Sequence, residues 1–343
     1  MLKNFVAILL FTVAVVTASH AQTHEVDALV KEGIRLYDAG DYQAAVEQYQ
    51  KALAIDSNSA SANYEIAYTY FALNNYQQTV VYADKVIKQH TINGEASFII
   101  KGSALDLMGN SAEAINTYKT GQLVYPGSHL LYYNLALTLY NTSGDKKEIE
   151  QNLQLALKIK PSHASSHFLL AILMVNQNKR VQALLSLYNF LLLEPKGNRA
   201  EKALQILNGQ LAKGVSKKDD KTINITMFVD KDKDEFSSAE VMLSLLEASK
   251  TIDANKGKTD NELFIENTGT FFSVLGELKK DNKSFWWTFY TDFFHEMKHK
   301  NMVEALCYCI SQSKNDSTIT DWLTKNDNKV KELLDWSSAY ERR

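Results

Sequence analysis

Small and apolar positions recur along the first two hundred residues with a period of 34 or 35. Small residues stand at Gly33, Ala67, Gly102, Ala136 and Ala171. Twelve residues further on come Ala45, Thr79, Ala114 and Ala183, with Ile149 in the fourth unit after one inserted residue. Four residues beyond these stand Tyr49, Ala83, Tyr118, Leu153 and Leu187, and three more lead to Ala52, Val86, Gly121, Ala156 and Phe190. Offsets of three and four keep the later positions on one helix face, and a repeat of this length predicts a solenoid.

Each unit reads as a helix-turn-helix. Small residues let two helices approach closely while bulkier ones fill the gaps. The internal turns carry Gly40, Asn74, Gly109, Gly144 and Asn178, residue types that accept the left-handed conformation ending a helix. Only three prolines occur, Pro126, Pro161 and Pro195, spaced 35 and 34 apart. They close units three, four and five, where Ser57 and Thr91 stand in the first two. A proline there ends the second helix and starts the link onward.

The segment 39–53, Ala-Gly-Asp-Tyr-Gln-Ala-Ala-Val-Glu-Gln-Tyr-Gln-Lys-Ala-Leu, resembles the second half of a tetratricopeptide repeat (TPR). The resemblance covers residues 26–197 and implies an all-α fold of five TPR hairpins. Residues 198–213 form a further amphipathic segment, which serves as the solvating helix a repeat array needs at its end. The expected domains are therefore a leader at 1–21, a solenoid with capping helix at 26–213, a linker at 214–221 and a helical C-terminal domain at 222–343.

The family resemblance also implies a concave face lined by the first helix of each hairpin. Carried over position by position, that lining is Ile34 and Tyr37; Tyr64, Tyr68 and Phe71; Ile99, Ser103 and Asp106; Tyr133, Leu137 and Tyr140; Phe168, Ile172 and Asn176. Relatives that clamp acidic peptide tails use Lys, Arg and Asn at such places. Here the lining is aromatic and aliphatic, which favours an apolar segment of a partner protein. A groove filled by the chain's own C-terminal region, or simply repeat packing in a tight superhelix, is the competing reading.

The first residues change the expected compartment. Lys3 precedes an apolar run, Phe5–Val16, broken only by Thr12, and Ser19-His20-Ala21 supplies small residues before Gln22. This pattern predicts a cleaved secretory signal peptide and a periplasmic or secreted protein. The mature chain has 322 residues (343 − 21) and, on losing Lys3, a net charge of −4 rather than −3. No later stretch is long and apolar enough to span a membrane.

Composition narrows the chemistry. Hydrophobic residues are 45% and charged residues 22% of the chain, which is globular rather than disordered. A net negative charge with no basic stripe argues against nucleic acid. Cys307 and Cys309 would point to different helix faces, so they read as small core residues rather than a disulfide.

The C-terminal region suggests further elements. Thr222–Val229 alternates and reads as one short strand. Ser237 with Glu240 reads as a capping box ahead of helix 238–250. Helical patterns follow at 262–280, 284–299, 301–313, 317–325 and 327–341.

Four features there and in the fifth repeat carry candidate chemistry. Asp230, Asp232 and Asp234 resemble the opening of a calcium loop, but Glu235 and Val241 occupy the places of its Gly and Glu. His295-Glu296-Met297-Lys298-His299 matches H-E-x-x-H, the zinc-hydrolase pattern, yet offers no third ligand at a suitable spacing. Phe285–Phe294 holds seven aromatics in ten residues, a helix buried on all sides. His163 and His167, also four apart, fall where the family places packing residues. No cofactor and no metal are assigned. The expected function is a non-catalytic protein-interaction scaffold, the alternative being a zinc hydrolase on His295, Glu296 and His299 with repeats that recruit substrate.

Overall fold

The computed structural model describes residues 22–89, 93–217, 223–226, 235–250 and 255–342. The leader, Thr91, and the Asp230–Asp234 run fall outside these residues. Among these residues the fold is all-α apart from one short hairpin. Successive helix pairs are α1 (22–38) with α2 (Tyr42–Ile55), α3 (Ala60–Ala72) with α4 (Tyr76–Lys88), and α5 (Gly94–Leu107) with α6 (Ser111–Val124). Then come α7 (His129–Asn141) with α8 (Lys146–Ile159), and α9 (Ala164–Asn176) with α10 (Arg180–Leu193). The α11 helix (Asn198–Ala212) follows directly.

Local chemistry sets these boundaries. Asp41, Ser59, Asn75 and Ser128 each cap a helix start by accepting a backbone N–H three residues on. The turns end on left-handed residues at Gly40, Asn74, Gly109 and Asn178. In the fourth hairpin the left-handed residue is Ser143, with φ +56°, rather than Gly144. The inserted residue in that turn shifts the register by one, and Gly144 instead lies close against Leu139. The three prolines each stand two residues past a helix end, after Val124, Ile159 and Leu193.

Residue contacts group the chain into two compact units that meet at Asn152 and Leu153, inside α8. In the first unit, Val26, Val30, Val46, Tyr49, Ala52 and Ile66 form one buried cluster, and Ala67, Ala83 and Ile100 another. The repeated small residues act as the periodicity predicts. A Cβ on Gly33 would run into the Tyr49 ring, and one on Gly102 into the Tyr118 ring. These glycines let each tyrosine lie flat between paired helices.

The second unit carries the fifth hairpin, α11 and the C-terminal helices. Every residue from Arg180 to Leu192 in α10 is buried. The α10 helix packs against α9, α11, α12 (Ser237–Ser249) and α15 (Val303–Ile310). Strands β1 (Val215–Lys217) and β2 (Ile223–Ile225) pair antiparallel, Val215 opposite Ile225, so the stretch read as linker begins as a strand. The remaining helices are α13 (Asp260–Lys279), α14 (Asp292–His299), α16 (Ser317–Lys325) and α17 (Asp327–Ala339).

Two local expectations change. Ser237 and Glu240 do not form a capping box at α12. Glu240 instead accepts the Val181 backbone N–H at 3.1 Å, capping the start of α10 from another helix. Thr259 and Glu262 do form a capping box, ahead of α13. The aromatic run 285–294 is buried at all seven rings. Its first turn, Trp286–Thr291, is π-helical and runs into α14.

Candidate functional site

In the first unit, the side chains expected to line a face sit on α1, α3, α5 and α7. Tyr37 packs with Tyr42 (5.0 Å between ring centroids) and Tyr68 (5.4 Å), and Tyr68 with Tyr64 (6.2 Å). Tyr37 and Tyr64 are half-buried, while Tyr68 keeps 43% of its surface exposed. Burial, and next the Tyr68 phenol beside it, pushes the Tyr37 hydroxyl up to about 12. Burial followed by the Asp38 charge raises the Glu65 carboxyl. Phe71 meets the edge of Tyr76 at 5.6 Å.

The α5 and α7 positions are also half-buried: Ile99, Ser103, Asp106, Tyr133, Leu137 and Tyr140. Asp106 is committed to structure. Its carboxylate accepts from Ser111 Oγ at 2.7 Å and from Thr138 Oγ1 at 3.0 Å, joining three helices. Ser103 Oγ lies 3.1 Å from the Tyr118 hydroxyl. The structure thus brings Tyr37, Tyr64 and Tyr68 together as one aromatic cluster.

In the second unit, Phe168 and Ile172 are half-buried and Asn176 is exposed. Phe168 packs on Phe190 at 4.8 Å, and the Arg199 guanidinium lies 5.5 Å from its ring centre. The C-terminal helices cover α10 and His167 of this hairpin and leave Phe168, Ile172 and Asn176 partly open. A concavity of about 1000 Å³ lies elsewhere in this unit, lined by Lys196, Asn198, Glu201, Ser313, Thr320 and Asp327. None of the expected groove residues lines it.

His167 has become the centre of a buried polar network that spacing alone does not show. Its Nδ1 is 2.6 Å from the Tyr290 hydroxyl and its Nε2 is 2.8 Å from the Pro161 carbonyl oxygen. Burial, then the Arg342 charge, pulls the imidazole down to about 3. Arg342 donates to the Phe289 carbonyl (2.9 Å) and Asn189 Oδ1 (3.0 Å), and lies 3.8 Å from the Phe293 ring centre. Arg180 is a second buried joint. It donates to the Gln210 and Leu211 carbonyls, both at 2.6 Å, and to Ser244 Oγ at 3.0 Å, with Glu240 4.0 Å away. Those carbonyls end α11, so one guanidinium caps that helix and ties it to α10 and α12. Both arginines are single residues whose partners lie far away in sequence, and no local signal marks them.

The H-E-x-x-H segment lies on α14. His295 is half-buried and His299 exposed, with their Nε2 atoms 2.9 Å apart. Glu296 points toward Lys300 at 3.9 Å. Among the described residues, no three His, Cys, Asp or Glu side chains converge on one point. Glu235, at the place of the calcium-loop glycine, accepts from Trp287 Nε1 (2.6 Å), Asn282 Nδ2 (2.9 Å) and Ser284 Oγ (3.0 Å). Cys307 and Cys309 are buried free thiols.

Residues 33–78 match the family model described as TPR repeat. No curated protein matches the chain in sequence. Among solved structures, the chain is similar to YrrB, described as a TPR protein with an unusual peptide-binding site. The identity is 18% and the TM-score 0.43, over 55% of this chain and 97% of that one. It is similar to MamA of Desulfovibrio magneticus (19%, TM-score 0.44, 50% and 95%) and to PilF of Pseudomonas aeruginosa (16%, TM-score 0.47, 56% and 91%). These matches span about half of the present chain. No helix among the described residues is long and apolar enough to cross a membrane.

Proposed function

We propose that the chain, whose residues 33–78 match a tetratricopeptide repeat, is a non-catalytic interaction scaffold whose first-helix face takes an apolar segment of a partner protein. The observation that carries this reading is the Tyr37–Tyr64–Tyr68 cluster, three contacting rings with Tyr68 the most exposed. Aromatic rings bring large contact area with few rotamers to order, which suits an anchor for protein binding. The Asp106 carboxylate is already engaged by Ser111 and Thr138, which leaves the tyrosine rings as the main contact surface and supports an apolar ligand.

A double variant, Tyr68→Ala with Tyr133→Ala, tests the assignment. It should keep the wild-type circular dichroism spectrum and lose the main partner in quantitative affinity capture. Full recovery of that partner by the folded variant contradicts the assignment.

The leader pattern supports export, and we propose that the scaffold works in a periplasmic or secreted setting. N-terminal sequencing of the protein from its native host should then begin at Gln22. A mature protein beginning at Met1 would overturn that part.

A further inference from the structure

We propose that His295 and His299 form a two-histidine site for a late first-row divalent metal ion, copper(II) above the others. The two residues stand one turn apart on α14, so their rings lie on the same face. Without metal, one Nε2–H donates to the other Nε2 at 2.9 Å, with the ring planes at 88°, and a bound metal ion would take the place of that proton. A metal bound by imidazole sits about 2.0–2.1 Å from each nitrogen. At the observed separation, the nitrogen–metal–nitrogen angle is about 90°. A tetrahedral zinc ion would need the nitrogens about 3.3 Å apart. The right angle instead matches adjacent positions of a tetragonal ion, the geometry of copper(II) and nickel(II), and copper(II) leads the affinity order.

The protein also holds the half-buried ring in place. His295 Nδ1 faces the Phe272 carbonyl oxygen of α13 at 3.4 Å. Donation from Nδ1 to that carbonyl leaves the lone pair on Nε2, the atom that faces His299. The ring lies directly over Gly276, one turn further along α13, where a Cβ would overlap it. Glu296 between the two histidines turns to Lys300, so the site consists of two imidazoles. Water completes the coordination sphere. With two protein ligands and Glu296 directed to Lys300, the site holds a metal ion through its imidazoles alone.

Copper(II) titration of the full chain, followed by calorimetry and electron paramagnetic resonance, tests this. The wild type should show a tetragonal signal with two equatorial nitrogens. His299→Ala removes an exposed ligand and should weaken binding at this site on the order of 10–100-fold. Gly276→Ala keeps both histidines but pushes the His295 ring aside. It should weaken binding similarly while its metal-free circular dichroism stays native. An unchanged isotherm and spectrum in His299→Ala would overturn the site. Zinc bound more tightly than copper(II) would overturn the tetragonal assignment. Wild-type affinity in a native-like Gly276→Ala would overturn the role given to α13.

Discussion

The buried imidazole of His167 makes the stability of the second unit depend on pH in a calculable way. Its folded-state pKa is about 3, against an ordinary value of 6.5, because burial and then the Arg342 charge disfavour the cation. The ionisable groups that act on it are Arg342, His163 and Tyr290. Between pH 6.5 and 3 the unfolded chain carries a proton on this residue that the folded chain does not. Stability therefore rises with pH across that window, is fully present above pH 6.5, and falls as pH drops toward 3. From pH 7.5 to 4.5 the loss from this residue alone is about 2.6 kcal/mol.

Urea unfolding can isolate this term. All four tryptophans (286, 287, 322 and 336) lie in the second unit, so their fluorescence reports on it alone. His167→Gln keeps a donor near the Pro161 carbonyl and does not titrate. The variant starts less stable at pH 7.5, where it lacks the Tyr290 partner. It should then lose about 2.6 kcal/mol less than wild type on going to pH 4.5. Carboxylates and the other histidines titrate in both proteins and cancel in the difference. Equal losses in the two proteins would refute a neutral, buried His167.

Other outcomes follow from single contacts. Arg342→Ala removes two charge-assisted hydrogen bonds and a close cation–aromatic contact, and should lower second-unit stability by about 2–4 kcal/mol in the same assay. Arg342→Lys should restore less than half, since a single ammonium cannot reproduce the planar fork that reaches Phe289 and Asn189. Gly102→Ala drives a methyl group into the Tyr118 ring and should cost the first unit about 1–3 kcal/mol, read from the thermal transition by circular dichroism. Burial pushes the Cys307 thiol up to about 12 and that of Cys309 up to about 11. The native protein should therefore resist a thiol reagent at neutral pH, and two thiols per chain should react once denaturant is added.

The sequence was most legible where structure is local and repeated. Five hairpins, the left-handed turns at Gly40, Asn74, Gly109 and Asn178, and the proline stops all follow from short-range rules acting once per repeat. The C-terminal helices were legible too, because each carries a helical spacing of apolar positions, the 285–294 run being apolar on all sides. Ser143 escaped because one inserted residue moved the turn off the glycine. The Ser237–Glu240 pairing failed for a different reason. Its spacing is right for a capping box, but the Val181 N–H at the start of α10 also needs an acceptor, and Glu240 supplies it. Likewise the positions of His163 and His167 show their spacing but not Tyr290 or Arg342, which tertiary folding brings in from more than a hundred residues away. For the candidate face, sequence placed the tyrosines; the structure added which of them touch and that Asp106 is already paired.

Site-specific photo-crosslinking tests the scaffold reading most directly. A benzophenone side chain placed at position 68 samples the aromatic cluster; one at position 123 replaces Leu123, an 85% exposed residue on α6, a second helix of its hairpin. In the native host, positions 68 and 133 should each capture the same partner protein, and position 123 should not. Capture of that partner from position 123, with none from 68 or 133, would contradict a binding face built on the first helices.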